Sequence, residues 1–239
     1  MAKSSREEAA KFTGSLPGPD FTHMFTESVS QIVVRDGNTR EAHDDYVSDP
    51  SKPVPYAPRP ITDNGWPEWK LNDQRFVDGR PDVLTYQTAP LKEDVTITGE
   101  SFAQLFAATT GSDADWAVKL IDAYPDRAEP PQMGAFEFMV AEEVFRARYR
   151  DSFERPRPVT PGKVTPYHFS LRFRDHTFKA GHRIMVQIQS SWFPLIDRNP
   201  QTYVGNIYEA HQSDFHVATM SIYRSQRFSS HIALPVNSQ

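Results

Sequence analysis

Apolar and polar residues alternate with a period of two along much of the chain. In "TPYHFSLRFR" (165–174), Tyr167, Phe169, Leu171 and Phe173 oppose His168, Ser170, Arg172 and Arg174. In "VFRARYR" (144–150), Phe145, Ala147 and Tyr149 oppose Arg146, Arg148 and Arg150. In "HRIMVQIQS", Ile184, Val186 and Ile188 alternate with Arg183, Met185, Gln187 and Gln189. Successive side chains of a strand point to opposite faces, so each stretch reads as a strand with one face packed. The aligned apolar residues, from Phe145 to Ile188, are expected to share one core. Shorter runs extend the set: "QIVVRDGN" (31–38), "DVLTYQT" (82–88), "VTITG" (95–99), "SFAQLFAATT" (101–110), "WAVKLIDAY" (116–124), "ATMSIYRS" (218–225) and "SHIALPV" (230–236). Turn residues separate them. One short helix is expected, in "SREEAAKF" (5–12) with Ser5 as its cap.

About ten strands with one-sided patterning predict an all-β domain, an antiparallel sandwich. Eleven of its 20 prolines cluster in "DPSKPVPYAPRP" (49–60), "RAEPPQ" (127–132) and "FERPRPVTPGKVTP" (153–166). Proline has no N–H and restrains the residue before it, so these clusters read as long crossings between strands. Such connections suit a jelly roll or Greek key better than an up-and-down barrel.

Composition narrows the function classes. The net charge of -5, with both signs mixed along the chain, offers nothing to attract phosphate, so nucleic acid is not an expected partner. No apolar run is long enough for a membrane-spanning helix, and the first residues lack an apolar signal core. The chain has no cysteine, which excludes disulfides, cysteine catalysis and thiolate zinc sites.

The search for chemistry returns little. No G-x-S-x-G elbow occurs; "TGSLPG" (13–18) has the wrong spacing. In "TTGSDADW" (109–116), Ser112 beside Asp113 and Asp115 reads as a polar hairpin turn. The eight histidines are scattered and read as surface or turn residues. No metal or cofactor site is expected, and no glycine-rich phosphate loop occurs. Trp66 and Trp69 lie in a loop-like stretch, either lining a pocket or capping a sheet edge. In "SSWFPLIDRNPQT" (190–202), Asp197, Arg198 and Asn199 read as a hydrogen-bonded corner that fixes a crossover.

Five stretches, in order, resemble one family. They are "YVSDPSKPVPY" (46–56), "DQRFVDGRPDVLTYQTAPL" (73–91), "TGSDADWAVKLIDAYPD" (110–126), "FRARYRDSFERPRPVTPG" (145–162) and "HTFKAGHRIMVQIQSSWFPLIDRNPQT" (176–202). Together they resemble the C-terminal domain of the α-amino-acid ester hydrolases, which group with cocaine esterases, cephalosporin acylases and X-Pro dipeptidyl-peptidases. The resemblance implies a galactose-binding-domain-like jelly roll over residues 45–239, preceded by a poorly matched extension, 1–44. In the family an α/β-hydrolase domain carries a Ser-Asp-His triad under a helical cap, and full-length relatives are often exported from bacteria. The resemblance places neither triad nor cap in this chain.

It implies instead a non-catalytic part of a serine hydrolase acting on esters, β-lactam amides or peptides. The implied partner is a catalytic domain, in cis or separately encoded, or else a second copy. Trp66 and Trp69 would then help to shape an acyl pocket. An exposed patch of Trp66, Trp69, Trp192, Phe193 and Leu195, beside Asp197 and Arg198, is the expected docking face. The alternative is a free-standing jelly roll that binds carbohydrate or another ligand; an independent enzyme is a third reading.

Overall fold

In a computed structural model, residues 9–14, 20–22, 29–35, 42–61 and 68–237 are described. Among them are twelve strands and no α-helix: β1 Ala9–Gly14, β2 Asp20–Thr22, β3 Val29–Arg35, β4 His43–Ser48, β5 Val83–Gln87, β6 Val95–Thr109, β7 Asp115–Ala123, β8 Glu137–Arg146, β9 Thr165–Phe178, β10 Arg183–Gln189, β11 Ala218–Tyr223 and β12 His231–Leu234. They form two sheets. The larger runs β1-β2-β3-β12-β6-β11-β4, and β9 pairs with the other side of β6. The smaller runs β5-β10-β7-β8, antiparallel throughout. The long β6 is shared, pairing with β12 through Phe102–Gln104 and with β11 through Ala107–Thr109.

The sheets pack face to face, as the alternation requires. Trp116, Leu120, Ile184, Val186 and Ile188 of the smaller sheet meet Leu105, Tyr167, Leu171, Met220 and Ile222 of the larger one in one cluster. Every residue of β7 is buried, so its second face is covered as well. The cover comes from the proline-bearing crossing before β5 and from the corner after β10. Trp69 and Trp192 pack on Met139, and the 3-10 turn Gln74–Val77 lies over Lys119.

Several expectations are corrected by this architecture. The runs 95–99 and 101–110 are one strand, because Gly99 carries the chain through at φ 141 instead of turning it. β8 starts at Glu137 and ends at Arg146, so Ala147 and Tyr149 lie in a 3-10 turn beyond the strand. Ala147 still reaches the core, but Tyr149 does not. β4 forms where the pattern suggested no strand. Residues 9–12 of the expected helix lie in β1, while Ser5 falls outside the described residues.

The row ending in Phe173 is also broken. Glu100 pairs with Phe173 and Phe102 with Ser170, so Leu171 and Arg172 together face the single residue Ser101. This is a β-bulge, and Arg172 takes the extra residue at φ 68, its N–H donating to Ser170 Oγ at 2.8 Å. One inserted residue reverses the phase of the alternation. Tyr167, Phe169 and Leu171 therefore point inward, while Phe173 points out.

Candidate functional site

The tryptophan expectation divides. Trp66 lies outside the described residues. Trp69 and Trp192 are only 4% and 2% exposed, their rings edge to face at 5.1 Å. The reason is the path of the corner. Phe193 N–H donates to Val54 O at 2.9 Å and Tyr56 N–H donates to Phe193 O at 3.1 Å, which lays 190–196 along the proline crossing. Leu195 packs on the same buried cluster. Arg198 donates to Pro50 O at 2.9 Å and stands over the rings of Phe193 and Phe215. Asp197 is exposed, with its carbonyl accepting from Arg146. Trp69 and Trp192 thus belong to a fastening, not to a displayed patch.

Beneath it lies a polar group that the pattern did not reveal. Lys119 is fully buried; its Nζ donates to Gln74 Oε1 at 2.9 Å and sits 5.0 Å from the Trp192 ring centroid. Burial pushes its ammonium down to about 7. Glu137, on the neighbouring strand, accepts from Gln187 Nε2 at 3.3 Å. Burial, and then the charge of Asp78, push its carboxyl up to about 8. Glu137 is hydrogen-bonded to Asp78, itself raised by burial. The sequence signal was available: a lone lysine inside the apolar run "WAVKLI" has no water on either side.

Ser112, Asp113 and Asp115 are likewise not an exposed hairpin turn. Asp113 is buried against Arg148, whose Nε donates to it at 2.8 Å. Asp115 accepts from Asn199 Nδ2 at 2.9 Å, and burial raises its carboxyl to about 6. The Ser112 hydroxyl accepts from Tyr203 N–H. These groups bind the 199–204 crossing to the start of β7. His176 and His182 meet at one buried carboxylate, Asp122, at 2.9 and 2.8 Å. Among the described residues no cluster of His, Asp and Glu suits a metal ion.

The open feature is elsewhere. Where β8 and β9 border the sandwich, a cleft of about 940 Å³ lies between β8, the turn after it, and β9. Its floor is aromatic: Phe145 stacks on Phe169 at 5.1 Å, and Tyr149 stacks on Phe153 at 6.1 Å. Phe153 and Phe173 stand in it 79% and 63% exposed. At its rim Arg172 pairs with Glu143 at 2.6 Å, and the Glu100 carboxylate accepts from the Ser170 hydroxyl at 2.6 Å.

With fold and cleft in hand, the chain matches the family described as the X-Pro dipeptidyl-peptidase C-terminal non-catalytic domain, over residues 19–232. The chain belongs to this family. A cocaine esterase from Rhodococcus sp. (strain MB1 Bresler) is 34% identical over 200 residues, 82% of this chain and 32% of the esterase. A solved α-amino acid ester hydrolase is 50% identical with a TM-score of 0.81, over 84% of this chain and 33% of that one. A solved aminopeptidase from a marine sediment Thaumarchaeota archaeon is 42% identical with a TM-score of 0.85, over 89% of this chain and 37% of that one. The chain therefore spans about a third of these relatives. The non-catalytic sandwich domain of this hydrolase family fits the fold better than a free-standing module does.

Proposed function

We propose that this chain serves as the supporting domain of a serine ester or amide hydrolase, holding the catalytic part and shaping its pocket without supplying a reacting group. The substrates of the whole would be amino-acid esters or peptides, in keeping with the names its relatives carry, with β-lactam amides added by the family resemblance alone. The observation that supports this reading is the chain's likeness to one third of several hydrolases, joined to the fate of its polar residues. Ser112, Asp113, Asp115, Lys119 and Asp122 are each engaged in holding strands and crossings together. Nucleophilic catalysis needs instead a nucleophile and a base within hydrogen-bond reach, open to substrate.

The isolated chain is expected to turn over neither p-nitrophenyl esters nor α-amino methyl esters, and to leave a fluorophosphonate probe unreacted. Stoichiometric labelling of one serine, with turnover lost when that serine is replaced, would contradict the proposal.

A further inference from the structure

We infer that the cleft between β8 and β9 is the face on which the catalytic part of the hydrolase docks, an inference that rests on the function just proposed. Exposed aromatic surface gathered in one place marks an interaction site, since isolated apolar residues are scattered on ordinary surfaces. Here Phe153 and Phe173 stand over a floor of stacked Phe145 and Phe169. The exposure of Phe173 is built into the backbone. Without the bulge at Leu171 and Arg172, the alternation that buries Phe169 and Leu171 would turn Phe173 inward too. The fold instead holds a non-glycine residue at φ 68 and turns a large apolar side chain to the surface. Sparsely populated backbone conformations persist where the surroundings over-determine them, and they cluster at functional sites.

Two further observations choose the occupant. Four of the five charged residues that line the cleft pair with one another, Arg172 with Glu143 and Arg150 with Asp151, and the fifth, Glu100, accepts from the Ser170 hydroxyl, so the cleft gathers no cluster of like charge for an ionic ligand. It suits an apolar protein surface with a polar border, the usual make-up of a domain interface. In addition, β8 pairs only with β7 and β9 only with β6 among the described residues, so both strands bordering the cleft are sheet edges. Natural proteins cover such edges with other structure. The relatives carry about two thirds of their length beyond the part this chain matches, and that remainder is the available cover.

The test exploits the lack of cysteine in the chain. Phe153→Cys, Phe173→Cys and, as a control, Tyr208→Cys are made singly. Tyr208 is as exposed as Phe153 but lies outside the cleft. Each variant is prepared alone and in a chimera in which this chain replaces the sandwich of the 50% identical α-amino acid ester hydrolase. Reaction with a maleimide is followed peptide by peptide. All three positions should react readily in the isolated chain. In the active chimera, positions 153 and 173 should slow about tenfold or more, as in a water-excluding interface core, and position 208 should not. An active chimera in which 153 and 173 still react freely overturns the cleft while leaving the proposed function standing. A folded chimera without turnover overturns both. Protection already present in the isolated chain would place a second copy in the cleft and overturn the assignment.

Discussion

The Lys119 ammonium lies 5.0 Å from the ring centroid of Trp192, on the far side of the sheet from the sandwich core. Burial strips the ammonium of most of its hydration, and one amide oxygen and an aromatic face restore only part of that loss. That is why its titration falls to about 7 from the 10.5 of an exposed amine. Between those values the unfolded chain keeps this proton and the folded chain sheds it. Stability contributed by Lys119 therefore rises with pH from about 7 to 10.5. Lys119→Met, which keeps the length and removes the charge, should abolish that rise and leave the chain equally or more stable at pH 7. Urea midpoints at pH 7, 8 and 9 for the two proteins decide it. Parallel pH dependence would contradict the burial of the charge.

Glu137 acts with the opposite sign. Its carboxyl is raised from 4.5 to about 8, so the folded chain keeps a proton over a range in which the unfolded chain has lost it. The contribution is complete below about 4.5 and is lost as pH rises through about 8. Glu137→Gln keeps a donor toward Asp78 and should flatten the fall in the urea midpoint between pH 5 and 8. A wild-type midpoint that does not fall over that window, or a variant that falls equally, would remove Glu137 as the cause.

Leu171 and Phe173 share a strand but not a face, and surface and core positions should respond differently to truncation. Phe173→Ser in the isolated chain is expected to change stability by no more than about 0.5 kcal/mol, as at ordinary surface positions. Ile188→Ala, in the core between the sheets, should cost about 2–5 kcal/mol. Chemical denaturation of both variants checks the pair. A large loss at Phe173 would mean that its ring is packed in the isolated chain.

Most of the sandwich was legible because period-two alternation is a local signal. β5, β7, β10, β11 and β12 fall within two residues of where the pattern places them. What failed did so at places where a non-local partner decides. Gly99 reads as a turn by itself, yet twelve residues of pairing with β9 carry β6 through it. The phase change at Arg172 leaves no mark in the alternation of "TPYHFSLRFR", because an inserted residue is visible only against its partner strand. Tyr149 fits the row of β8 in sequence, but the strand ends at Arg146 and the chain turns.

The site was less legible than the fold for a related reason. Trp69 and Trp192 were read as loop residues and therefore as exposed, whereas the crossings that hold them are a covering layer on the smaller sheet. The cleft combines residues from β6, β8, β9 and the turn after β8, and the alternation assigns Phe145, Tyr149, Phe169 and Phe173, which all line it, to packed faces and so gives no sign of an open surface. Exposed Phe153 lies within a proline cluster that reads simply as a crossing.

The central claim is that this sandwich supports the catalytic part of a hydrolase. It is met most directly by measuring kcat/KM for an α-amino methyl ester in the chimera of the 50% identical ester hydrolase carrying this chain, beside that hydrolase with its own sandwich and with none. The account predicts that the chimera approaches the intact hydrolase and far exceeds the form lacking a sandwich. A folded chimera no more active than the form without a sandwich would contradict it.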